Sequence, residues 1–491
     1  MRVPSGPATV TGERACGKPL SLNPNQLGEG RWEGAGSGDP EARRPAWYER
    51  RSLREKGDPE LEGDGKVLGV GRGLFYFALV GWKKDPGREG EGVSDLETCE
   101  ISWDARKRDA RCERREEELR VGLRLSDVVQ GIKPVDQEWR NKAKKHIDNL
   151  TMPRGSLGEV LLIAERLAAI KETLKPSVTN KAIVTMAGDH GVVEEGVSAY
   201  PQEVTQQMVA NFVAGGAAIN VLASTVGARV IVVDMGVAAD ISELARQGKI
   251  LSYKVDYGTK NMCRGPAMTR EQAVQALEAG IDIASRLVEE GVELLGTGDM
   301  GIGNTTPSTA ILAALSGVPV GEITGRGTGV DDVGLSKKVQ AIKKALEVNR
   351  PDPKDGIDVL AKVGGFEIGG IAGLILGAAY HQVPVVVDGL ISTAGALIAH
   401  ALAPSAVEYM FAAHLSTEPG HRLMLRRLGL RPVLDLDLRL GEGTGAALAM
   451  PVIEGAARVI GEMATFEQAS VSRSIKEHEP SSGIVTEHRD C

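Results

Sequence analysis

Short runs of β-branched and aliphatic residues alternate with stretches whose apolar positions recur at helical spacing, from about residue 179 to residue 445. The runs are "KAIVTMAGDHG", "ARVIVVDMGV", "VELLGTGDMG", "VPVVVDGL", "EYMFAAHLS" and "RPVLDLDLRLGEGTG". Most are followed by glycine-rich turns and then by apolar helical patterns such as "TPSTAILAALSG" and "STAGALIAHALA". Strand, glycine turn and helix in repeated order predict an α/β fold: a doubly wound, mostly parallel, six-stranded Rossmann-like sheet with helices on both faces. In such a sheet ligands sit beyond the carboxyl ends of the strands, where these glycine clusters fall.

Two further stretches have helical period, residues 125–178 and the run "GAALAMPVIEGAARVIGEM". They predict a small helical subdomain built from the two ends of a 125–472 core domain. Residues 1–124 are rich in Gly, Pro, Arg and Glu, with a single short apolar run, and read as a disordered or loosely structured extension. Residues 473–491 read as a polar tail.

Composition narrows the chemistry. A net charge of −8 argues against a nucleic-acid surface. The five cysteines include no C-x-x-C pair, and four of them (Cys16, Cys99, Cys112, Cys491) lie outside the predicted core, which fits a reducing compartment. No apolar run is expected to reach the roughly 20 residues of a membrane span. The chain opens without the basic-then-apolar pattern of a signal peptide, so a cytoplasmic protein is expected.

The stretch "GTGDMGIGNTTPS" (296–308) sets Asp299 among Gly296, Gly298, Gly301 and Gly303, just ahead of a helix start. Bare backbone N–H groups and a helix N-terminus suit an anion, and a tight strand-to-helix turn without ligand fits these residues equally well. It is neither a Walker loop, since no lysine follows the last glycine, nor the dinucleotide fingerprint. "GRGTGVDDVGLSKKVQ" (325–340) repeats the logic, with Lys337 and Lys338 on the following helix; a solvated lysine pair is the alternative. "LRLGEGTGAAL" (438–448) places Glu442 between glycines, as a general base or as a helix-start carboxylate. Asp189, Asp331, Asp332 and Asp388 equally suit helix caps. His190, His414 and His421 lack the spacing of a zinc motif, and no metal is assigned.

Taken in order, "GDHGVVEEGVSAYPQEVTQQM", "GDMGIGNTTPSTA", "GRGTGVDD", "VGGFEIGGIAG", "PVVVDGLISTAGA", "HLSTEPGH" and "LRLGEGTGAALAM" resemble the nicotinate-nucleotide:dimethylbenzimidazole phosphoribosyltransferase family of cobalamin biosynthesis, from about Leu125 to about Ser472. The resemblance implies transfer of the 5-phosphoribosyl group of nicotinate mononucleotide to 5,6-dimethylbenzimidazole, giving nicotinate and α-ribazole 5′-phosphate. It further implies a homodimer without metal or organic cofactor. Matched residue by residue, it makes Glu442 and Asp299 catalytic, Asp299 standing where the family carries glutamate. It puts Gly301, Ile302, Gly303, Asn304, Gly327 and Lys338 on phosphate and ribose, and Ser198, Tyr200, Gln206 and Leu440 around the base. Two alternatives remain: a related phosphoribosyltransferase or hydrolase acting on another base, and a nucleotide sensor without turnover.

Overall fold

A computed structural model describes residues 123–474, so all but the last two residues of the 1–124 extension and most of the polar tail lie outside the described residues. Seven strands form one sheet: β1 (Lys181–Gly188), β2 (Ala228–Gly236), β3 (Leu251–Ser252), β4 (Leu294–Met300), β5 (Val385–Val387), β6 (Met410–His414) and β7 (Pro432–Leu434). Their order is β3-β2-β1-β4-β5-β6-β7, and every pairing is parallel. The expected count of six is therefore corrected to seven. The additional strand is the two-residue edge β3, whose "LS" is too short to carry a periodic signal.

All eight residues of β1 are buried, as expected of a central parallel strand covered on both faces. Ile183 is paired with Val230 on one side and Gly296 on the other. The strand order reverses its direction of growth at β1 and β4. In parallel sheets ligands bind at the carboxyl edge of such a switch point.

Two apolar helices, Arg270–Glu289 and Phe366–Tyr380, pack across one face through glycine contacts. A Cβ on Gly280 would stand 2.0 Å from the Gly370 carbonyl oxygen, and one on Gly373 would stand 1.9 Å from that of Leu277. Backbone therefore meets backbone, which brings Glu367, in the first turn of the second helix, under the end of β1. On the other face the helix Thr444–Glu462 packs against Glu159–Ile170, which in turn holds Gln137–Ile147, and Leu150 is bridged to Thr465. The two ends of the core thus meet as the helical periods anticipate.

One expectation about apolar length needs correction. Val204–Thr225 is long and apolar enough by composition to cross a membrane, with a mean hydropathy of 1.4. It is divided into the helices Val204–Ala214 and Ala218–Thr225, the first ending at Gly215 with φ +78°. Neither helix alone has the roughly 20 residues of a span.

Candidate active site

Carboxylates gather at the carboxyl ends of the central strands. Asp299 closes β4, Asp388 follows β5, Glu367 opens its helix, and Glu442 lies in the loop after β7; all four are buried.

Glu442 is positioned by its backbone. Gly441, Glu442 and Gly443 have φ of +83°, +64° and +98°, a left-handed run that costs a non-glycine residue about 1–3 kcal/mol. Three contacts fix it: the Glu442 N–H donates to the Asp299 carbonyl at 3.1 Å, Thr185 Oγ1 donates to the Glu442 carbonyl at 2.8 Å, and the Gly443 N–H donates to Asp388 Oδ2 at 3.1 Å. Gly298 is needed for this approach, since a Cβ there would sit 2.3 Å from the Glu442 carbonyl oxygen. Glu442 Oε2 accepts the Ile219 N–H at 3.1 Å, in the first turn of Ala218–Thr225. Burial raises the pKa of the Glu442 carboxyl, and that N–H holds it down in part.

Asp299 Oδ2 accepts Asn304 Nδ2 at 3.0 Å, while Oδ1 is buried without a hydrogen-bond partner. Burial, and then the charges of Asp388 and Glu367, raise its pKa well above the usual carboxylate range. Asp299 therefore keeps its proton to higher pH than an ordinary aspartate does. Asp388 is pushed up to about 7 by burial, against the pull of the N–H groups it accepts at the start of Thr444–Glu462.

The second cluster gathers around Lys338, which is fully buried. Its Nζ donates to Thr305 Oγ1 at 2.6 Å and to the Gly325 carbonyl at 3.2 Å. Burial lowers its pKa to about 8, and the Glu418 charge works in the opposite direction. Gly327 lies against it: a Cβ there would be 2.9 Å from Nζ. The Gly327 N–H donates to Glu418 Oε1 at 2.9 Å.

The predicted residues divide by this geometry. Glu442, Asp299 and Asn304 share one contact network, and Gly327 shares another with Lys338. Gly301 and Gly303 form the turn leading to Thr305, and a Cβ on Gly301 would come within 2.2 Å of the Gly188 carbonyl oxygen. The Ile302 N–H, expected to face phosphate, instead donates to Thr205 Oγ1 at 3.1 Å. Ser198 Oγ lies 3.3 Å from Thr328 Oγ1, which ties the loop at Ser198 to the 325–330 loop. Tyr200 and Leu440 are exposed and Gln206 half-buried. No side-chain hydrogen bond among the described residues ties these three to the clusters.

Several participants escaped sequence reasoning. Thr185, Thr305, Glu367 and Glu418 sit in or against the two clusters, and Arg439 Nη1 reaches the Gly327 carbonyl at 3.5 Å. Glu418 had a signal, since it lies inside the quoted "HLSTEPGH"; Thr185 is in mid-strand and had none.

His421 and His190 lie against named partners within the fold. His421 Nδ1 accepts the Ser416 N–H at 2.8 Å and Nε2 lies 2.9 Å from Thr393 Oγ1. Burial, then His414, holds its pKa down to about 3, so it is neutral. His190 Nε2 stands 2.8 Å from Glu367 Oε1, an ion-pair distance without the alignment of a hydrogen bond. Burial depresses its pKa, and the charge and proximity of Glu367 together outweigh that and raise it. A cavity of about 510 Å³ beside Gly191, Lys260 and Arg264 lies off the carboxylate cluster, and the Arg264–Glu194 ion pair stands at its wall.

Fold and site together define a class: an α/β enzyme with buried carboxylates and a buried lysine at the switch point of a parallel sheet. Residues 132–471 match the phosphoribosyltransferase family DBI_PRT. The nicotinate-nucleotide–dimethylbenzimidazole phosphoribosyltransferase of Geobacter metallireducens is 58% identical over 71% of this chain and 98% of its own length. That of Chloroflexus aggregans is 54% identical over the same share of each. The crystal structure of the enzyme of that name from Thermus thermophilus superposes with a TM-score of 0.65 at 49% identity, covering 69% of this chain and all of that one. The chain belongs to the nicotinate-nucleotide–dimethylbenzimidazole phosphoribosyltransferase family.

Proposed function

We propose that the chain transfers the 5-phosphoribosyl group of nicotinate mononucleotide to 5,6-dimethylbenzimidazole, forming α-ribazole 5′-phosphate and nicotinate for the lower ligand of cobalamin. The observation that carries the mechanism is Glu442, fixed in a left-handed turn against the Asp299 backbone with its carboxyl pKa raised by burial. A raised pKa makes its carboxylate a stronger base.

In this reading Lys338 and the loop at Gly327 hold the phosphate, with Gly301, Gly303 and Asn304 at the ribose, which orients the anomeric carbon for in-line attack. The bare ring nitrogen of dimethylbenzimidazole bonds to that carbon as the bond to the pyridinium nitrogen breaks. The electron pair stays on that nitrogen and neutralises its ring, so departure needs little acid assistance. The other ring nitrogen gives its proton to Glu442. Asp299, whose pKa burial raises, is suited in its protonated form to donate a hydrogen bond to a ribose oxygen through its buried carboxyl. Ser198, Tyr200, Gln206 and Leu440 flank the base.

The test is a chromatographic assay with nicotinate mononucleotide, with and without the base. Base-dependent formation of the α-linked product is expected. Nicotinate release without base identifies a hydrolase, and binding without release a sensor. Family membership also supports a cytoplasmic homodimer; light scattering on the purified chain should return twice the monomer mass.

A further inference from the structure

The acid Glu418 occupies the cradle that the preceding reading gives to phosphate. Its Oε1 accepts the Gly327 N–H at 2.9 Å, and Oε2 is buried without a hydrogen-bond partner. Gly325 has to be a glycine for the carboxylate to lie there, since a Cβ would fall 1.9 Å from Oε2. On the other side of Gly327 stands the Lys338 ammonium, whose acceptors, Thr305 Oγ1 and the Gly325 carbonyl, are both neutral. Among the described residues no carboxylate comes within ion-pair distance of Lys338, although Glu418 is near enough for its charge to be felt. Arg439 Nη1 adds a second positive group at the Gly327 carbonyl, 3.5 Å away.

A buried ammonium with a donor to spare and a buried carboxylate with a bare oxygen are each costly. A phosphoryl group satisfies the cationic half, supplying acceptors for the Gly327 N–H and for the remaining Lys338 donor together. A single carboxylate, such as that of released nicotinate, offers little that Glu418 does not already offer.

We infer that Glu418 is the resident anion of the cradle: it holds the Gly327 N–H until a phosphoryl group displaces it, and so sets the affinity of the site and its preference for phosphate over singly charged anions. The inference rests on the reading of Gly327 and Lys338 as the phosphate site. Glu418→Gln keeps an acceptor for Gly327 and removes the competing charge.

Titration calorimetry of the full chain with inorganic phosphate, and separately with acetate, tests it. Glu418→Gln should bind phosphate about tenfold or more tighter, as expected for removing a like charge a few ångströms away at a partly screened site. It should also gain measurable acetate binding. Phosphate affinity within twofold of the wild type, or weaker, overturns the inference and leaves Glu418 a structural strut. Lys338→Met separates the two claims, because unchanged phosphate binding in that variant overturns the cradle itself. Should Glu418→Gln fail to fold, Glu418→Asp withdraws the charge by one methylene and should still tighten phosphate; no change in its affinity also overturns the inference.

Discussion

At the scale of single residues the site works by placing acids in unlike surroundings. Glu442 is solvated by one backbone N–H, Asp299 by one side-chain amide, and Asp388 by the start of a helix. Replacing Glu442 by Gln should lower kcat by about 100-fold to 10,000-fold, the usual range for a general base, with nucleotide affinity nearly intact by calorimetry. Loss of affinity with turnover retained would remove the assignment. Because the base acts only when ionised, wild-type kcat should rise with pH through a pKa above the ordinary glutamate value of 4.5. Glu442→Gln should lack that limb.

The buried acids also link stability to pH. Asp388 has a folded pKa of about 7 against 3.8 for its ordinary value. Between these values the folded chain holds a proton that the unfolded chain has lost. Its contribution is therefore fully present below about pH 4 and declines by roughly 1.4 kcal/mol per pH unit until about pH 7. Asp299 acts with the same sign. Chemical denaturation from pH 4 to 7 should show a shallower decline for Asp388→Asn than for the wild type; an equal slope would place Asp388 outside this linkage.

At the scale of elements, glycine does two kinds of work. The sequence presents Gly298 and Gly301 as openings for an anion, and the fold sets protein backbone where a Cβ on each would stand: Glu442 against one and Gly188 against the other. Gly280 and Gly373 let the helices Arg270–Glu289 and Phe366–Tyr380 touch along their backbones, which sets Glu367 and His190 at the carboxylate cluster. Gly373→Ala forces a methyl against the Leu277 carbonyl and should destabilise the fold by about 1–3 kcal/mol or more, read from denaturant midpoints. An unchanged midpoint would mean that the two helices can separate without consequence. Sequence pattern cannot distinguish these uses, because a glycine that admits a ligand and one that admits a neighbouring strand look the same in a chain.

At the scale of the whole molecule, residues 132–471 carry the family match. Deleting residues 1–124 should leave transfer activity within about twofold in soluble protein; a large loss would make the extension part of the working enzyme. The alternation of short buried strands with apolar helices made the parallel sheet legible in the sequence, because a period of two or of 3.6 is local information. The same local signals placed Glu442 and Asp299 among glycines and Lys338 on the helix that follows a glycine turn. The tertiary structure alone decided which backbone N–H groups remain for a ligand: Ile302 donates to Thr205 and Gly327 to Glu418, partners 97 and 91 residues away. It alone placed Thr185 under Glu442 and the edge strand β3 beside β2. Hydrogen bonds, burial and the pKa shifts they cause depend on what folding brings within a few ångströms, and no period along the chain encodes that distance.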